Sequence, residues 1–163
     1  MQWILFQYNV PNKTSKLRVY VWRKLKAIRA EQLTEGFYTL PLMDKTLEQL
    51  EWLCAEVEEM GGTAVLWKSE CLSQKQESEL ITRFQDKAGE SYVKIQSLLS
   101  EKPETEQDVW LDSIVRQYAD TRYHDYFNAH IKYTIHTQIE RQYLKNRRGG
   151  RIKWYGRLGK KLG

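Results

Sequence analysis

Pro11, Gly36, Pro41 and the pair Gly61-Gly62 cut the first 72 residues into short segments, and the hydrophobic period changes from cut to cut. Trp3–Tyr8 is an apolar run rich in aromatics and Ile, closed by Pro11, which is the pattern of a buried strand. Ser15 is a good N-cap, and Lys16–Ala30 follows with helical spacing. Leu17, Tyr20, Val21, Leu25 and Ile28 then share one arc of that helix. Gln32–Leu33 and Phe37–Leu40 flank Thr34-Glu35-Gly36, which reads as a hairpin with Gly at its turn. Pro41 ends the second arm. Asp44 or Thr46 can cap the next helix, and Thr46-x-x-Gln49 has the capping-box form. Leu47, Leu50, Leu53, Cys54, Val57 and Met60 share a face of it, Trp52 points elsewhere, and Gly61-Gly62 ends it. Thr63–Lys68 is again rich in strand formers.

Strand, helix, strand, strand, helix, strand is the order of the split-βαβ, ferredoxin-like plan. The expected fold class is therefore α+β: a ferredoxin-like βαββαβ sandwich over residues 1–72, with a C-terminal α-helical extension. Both helices cover one face of the sheet. An aromatic-rich second face is costly to leave wet, so the rest of the chain is expected to pack on it. That extension spans residues 73–146. Ser73 caps its first helix, with Gln76 in box position, and Leu80, Ile81, Phe84, Ala88, Tyr92, Ile95, Leu98 and Leu99 form its stripe. After Pro103, Trp110, Leu111, Ile114, Val115 and Tyr118 form a second stripe. Phe127, Ile131, Ile135, Ile139 and Tyr143 form a third, out of phase with the second, which predicts a break near Asp120–His124. Residues 147–163 read as a Gly-rich basic tail, disordered without a partner.

Charge is segregated. Residues 1–30 carry seven basic groups and no acid, residues 31–112 carry eighteen acids against seven bases, and residues 141–163 carry nine bases and no acid. Two such basic segments point to a polyanion, above all nucleic acid. The plainer explanation is that they pair with the acidic middle. On the helix after Ser15, Lys16, Arg18, Arg23, Lys26 and Arg29 lie opposite the apolar arc, Lys24 lies at its edge, and Val19 and Trp22 sit among the cations. The cations suit phosphate contacts, and Trp22 suits stacking on a base, packing on a second copy or packing within the chain. In the tail, Arg147, Arg148, Arg151 and Lys153 precede Trp154 and Tyr155, an interleaving that suits sequence-independent contact with nucleic acid.

Catalytic and metal chemistry finds little support. On a single helix, His124, His130 and His136 would point in three directions, so they are not expected to ligate a metal. Cys54 lies on an apolar helix face and Cys71 has no Cys-x-x-Cys partner, so a reduced, cytoplasmic protein is expected. There is no phosphate loop, nucleophile elbow or His-Glu-x-x-His. Glu48, Glu51, Glu58 and Glu59 read as solvated helix faces, and no cofactor or enzyme activity is expected. No apolar run is long enough to cross a membrane.

The stretches WILFQYNVP (Trp3–Pro11), SKLRVYVWRKLK (Ser15–Lys26), EGFYTLP (Glu35–Pro41) and LEWLCAEVEEMGGTAVL (Leu50–Leu66), with the weaker Glu79–Tyr92, resemble the N-terminal domain of the ChrB family of chromate-resistance regulators. The resemblance covers about residues 3–95. It implies a bacterial transcriptional regulator that binds DNA through its basic residues, carried here by Lys16, Arg18, Arg23, Lys24 and Lys26. A full family member has a second, C-terminal domain linked to chromate sensing, which the chain beyond Pro103 does not resemble. The plan also looks like that of the PaaX regulators' C-terminal domain and of small CRISPR-associated nucleases. Those nucleases carry an acidic residue where this chain has Asn9. The expectation is a homodimeric DNA-binding regulator. The alternatives are a protein-interaction module meeting an acidic partner, or a small oxyanion sensor for chromate or sulfate.

Overall fold

The structure, a computed structural model, describes residues 1–11 and 15–146. Among these it is a mixed α/β chain with a four-stranded antiparallel sheet and five helices. Two compact units divide at Leu80/Ile81.

The first unit holds β1 (Gln2–Asn9), α1 (Ser15–Ala27), β2 (Glu31–Thr34), β3 (Phe37–Pro41), α2 (Asp44–Glu59) and β4 (Thr63–Glu70). The strand order is β2-β3-β1-β4, with β1 antiparallel to both neighbours. Register pairs Ile4 with Leu40 and Phe6 with Tyr38. Side chains alternate across a strand, so these four lie on one face. All four are buried. Leu17, Val21 and Leu25 of α1, and Leu50, Leu53 and Val57 of α2, are buried with them, and α2 packs against α1, β1 and β4. Each such side chain contributes about 1.5–3 kcal/mol by leaving water.

Two glycines, Gly36 and Gly61, take the left-handed backbone conformation. Gly36 has φ +75°, and a Cβ there would lie 3.0 Å from the Tyr8 carbonyl oxygen. The Gly36 carbonyl in turn accepts the Tyr8 N–H, so the hairpin turn abuts β1. Gly61, at φ +82°, closes α2: its N–H meets the Glu58 carbonyl, and the Gly62 N–H meets that of Val57. This is the Schellman closure expected of the Gly-Gly pair.

The start of α2 differs from expectation. The helix begins at Asp44, and Thr46 is its third residue rather than its cap. Thr46 Oγ1 accepts the Met43 N–H at 3.0 Å and donates to carbonyls of the preceding turn, Pro41 at 2.6 Å and Met43 at 2.9 Å. A hydroxyl both accepts and donates, so it holds the turn from inside the helix. Gln49 takes no part in that bonding.

α3 (Gln74–Ser100) runs across the division. Ser73 Oγ accepts the Gln76 N–H, as its capping role requires. Within the first unit, Trp3 Nε1 donates to Glu77 Oε1 at 3.0 Å, and the Met1 ammonium lies 3.1 Å from the same oxygen.

The second unit holds the rest of α3 with α4 (Gln107–Tyr123) and α5 (Lys132–Asn146). Its core is Ala88, Tyr92, Ile95, Leu111, Ile114, Tyr118, Ile135 and Ile139, with smaller contributions around them. The expected break falls between α4 and α5. Buried Asp125 organises it by accepting the Ala129 N–H and the Tyr92 hydroxyl. Among the described residues no helix is long and apolar enough to cross a membrane.

Candidate nucleic-acid interface

α1 is a two-sided helix. Leu17, Val21 and Leu25 recur every four residues and are buried to 2% exposure or less. Opposite them, at 100° per residue, an arc of about 120° carries Lys16, Val19, Trp22, Arg23 and Lys26. All five are exposed, Val19 at 45% and Trp22 at 46%. Two apolar side chains held in water among three cations are not explained by the core of this unit. Lys26 Nζ lies 4.7 Å from the centroid of the Trp22 ring, a cation–π contact that organises the outer end of the arc.

The flanks of the helix are engaged. Lys24 Nζ donates to Glu56 Oε1 of α2 at 3.0 Å and stands 5.2 Å from the centroid of the Tyr20 ring. The Glu56 bond, followed by Tyr20, raises the Lys24 pKa, so the ammonium stays charged. Lys24 is thus a clasp between α1 and α2 as well as a surface cation. On the other flank, Arg18 lines a recess of about 280 Å³ with Tyr8, Asn9, Val10, Glu35 and Gly36. Burial raises the pKa of Tyr8 there, while a hydrogen bond with Tyr38 and the Arg18 charge pull the other way.

Arg29 departs from the expected placement. The spacing predicts a helix to Ala30, but α1 ends at Ala27. The Ala30 N–H bonds the Leu25 carbonyl and the Arg29 N–H bonds that of Lys26, with Arg29 at φ 56°. This closure repeats that of Gly61, with arginine in the left-handed slot that glycine ordinarily fills. The helical phase is lost there, and Arg29 is half-buried rather than part of the outward arc. The tail residues Arg147, Arg148, Arg151 and Lys153 lie outside the described residues.

The structure therefore brings Lys16, Trp22, Arg23 and Lys26 together, places Arg18 and Lys24 on the two flanks, and sets Arg29 apart. Val19 joins the arc as an exposed apolar neighbour of the cations.

Elsewhere, His124 Nδ1 lies 3.0 Å from the Asp120 carbonyl oxygen, and the His136 ring lies against Tyr118. Among the described residues no group of three or more His, Cys, Asp or Glu is placed to hold a metal ion. Burial, with Glu58 and Glu51 adding to it, pushes the Cys54 thiol up to about 11.

The family model described as "Protein ChrB, N-terminal" matches residues 18–101, from the second turn of α1 to just past the end of α3. No curated protein and no solved structure matches the chain.

Proposed function

The chain belongs to the ChrB N-terminal family, which links it to the chromate-resistance regulator ChrB, and on that premise we propose that it is a non-enzymatic transcriptional regulator that binds DNA through the outward arc of α1. The observation that carries this reading is the exposure of Lys16, Trp22, Arg23 and Lys26 on one side of a helix whose other side is anchored by Leu17, Val21 and Leu25. Cations on a rigid helix meet phosphates without the entropy loss of ordering a loop. Trp22 offers an aromatic surface beside them, and Arg18 and Lys24 extend the basic strip on either flank. The element order and the strand order β2-β3-β1-β4 support reading the first unit as the ferredoxin-like plan.

The test is a titration with double-stranded DNA at about 50 and about 200 mM salt. About four phosphate contacts give an affinity loss on the order of a hundred-fold between the two. No binding at the lower salt, or binding indifferent to salt, would count against this reading. Tight, salt-sensitive capture of an acidic protein without any DNA shift would favour the interaction module.

A further inference from the structure

The two edges of the sheet are built differently. β2 is four residues long and its pairing with β3 is interrupted between Gln32 and Thr34. Shortness and a bulge are ordinary ways to make an edge unattractive to other strands. β4 has neither. It is eight residues long, runs in unbroken register against β1 from Gln2↔Glu70 to Asn9↔Thr63, contains no proline, and has no buried residue. Among the described residues it pairs with β1 alone. Val65 and Trp67 stand 46% and 53% exposed on one of its faces. Lys68 is its one cation.

We propose that β4 pairs antiparallel with β4 of a second copy, about a two-fold axis through Leu66, so that two four-stranded sheets become one of eight. The sequence Thr-Ala-Val-Leu-Trp-Lys-Ser favours that axis over those at Trp67 and Lys68. Opposed residues of an antiparallel pair share a face, so the axis passes through a residue. An axis at Lys68 opposes lysine to lysine, and one at Trp67 sets the two lysines on a diagonal. An axis at Leu66 opposes Trp67 to Val65 of the second copy and Thr63 to Ser69, twice each, with Lys68 facing Ala64. Aromatic on β-branched and hydroxyl on hydroxyl are favourable cross-strand pairs, and no like charges meet. The overlap, Thr63 to Ser69, spans about 24 Å of an edge that is otherwise unpaired among the described residues. A closed two-fold is also the commonest symmetry of self-association. The axis is normal to the sheet, so the helical layers of both copies lie on one side. On the reading of α1 above, two cationic arcs then face one duplex. The dimer does not depend on that reading and is measured without DNA.

The experiment is sedimentation equilibrium of the full chain from about 1 to 200 µM, with charge rescue. Wild type is expected to dimerise. Val65→Lys alone and Trp67→Glu alone each place like charges on a diagonal across the axis, and each is expected to weaken the dimer at least ten-fold with an unchanged circular-dichroism melt. Mixing the two variants sets the introduced ammonium of one chain directly opposite the introduced carboxylate of the other, and a heterodimer is expected to recover. A wild type that stays monomeric throughout overturns the proposal. So do single variants that dimerise as wild type does, or folded variants whose mixture shows no recovery.

Discussion

Lys24 Nζ donates to Glu56 Oε1 at 3.0 Å across the gap between α1 and α2. That bond sets Lys24, tied to α2, apart from Lys16, Arg23 and Lys26 of the outward arc. It also sets a carboxylate beside the surface proposed to meet phosphate. Glu56→Gln removes that negative charge and releases the ammonium. DNA affinity is expected to rise several-fold at low salt, with a stability change within about 0.5 kcal/mol because both side chains are partly solvated. Fluorescence anisotropy with a labelled duplex reads the first effect and urea unfolding the second. Unchanged affinity would mean that this flank does not approach DNA.

The buried stripe of α1 is what holds its arc outward. Leu25 is fully buried, so Leu25→Ala is expected to cost about 2–5 kcal/mol. A shift in the urea midpoint at unchanged slope measures it.

Two glycine substitutions separate a backbone cost from a contact cost. Gly61→Ala meets open space and bears only the left-handed conformation, at about 1–2 kcal/mol. Gly36→Ala bears a similar conformation and also sets its Cβ 3.0 Å from the Tyr8 carbonyl oxygen. It is expected to destabilise more than Gly61→Ala in the same unfolding assay.

Acid sensitivity should trace in part to Glu77. The Trp3 indole N–H, and after it the N-terminal ammonium, hold this carboxyl below its ordinary value of 4.5. A lowered folded pKa stabilises the fold above the ordinary value, and that stabilisation fades as pH falls through the lowered one. The thermal midpoint of wild type should therefore exceed that of Glu77→Gln at pH 7, and the difference should shrink towards pH 3.

Local signals in the sequence carried the element order well. The Ser73 cap, the Gly61-Gly62 stop and the Gly36 turn each rest on residues within a few positions of one another, and the break after α4 shows as a change of phase between two apolar stripes. Other features depended on partners distant in sequence. Glu56 lies 32 positions from Lys24, and a helical wheel of α1 cannot show that the two meet. Glu77 lies 74 positions from Trp3. Arg29 occupies a slot that glycine normally marks, so nothing in Ile28-Arg29-Ala30 announces the end of α1. Which strand becomes an edge depends on strand order, so Thr63–Lys68 read as a strand without revealing that Val65 and Trp67 stay exposed. Thr46 carries a capping signal in the sequence, but its hydroxyl serves the N-terminus from the third helical position rather than from the cap.

The central claim is that the outward arc of α1 meets phosphate, and the salt dependence of DNA affinity for wild type and for Arg23→Ala with Lys26→Ala tests it most directly. Each lost phosphate contact lowers the slope of log affinity against log salt by about 0.9. The double variant is predicted to bind more weakly, with a slope shallower by about 2 and an unchanged melt. A folded double variant with the wild-type slope and affinity would contradict the account.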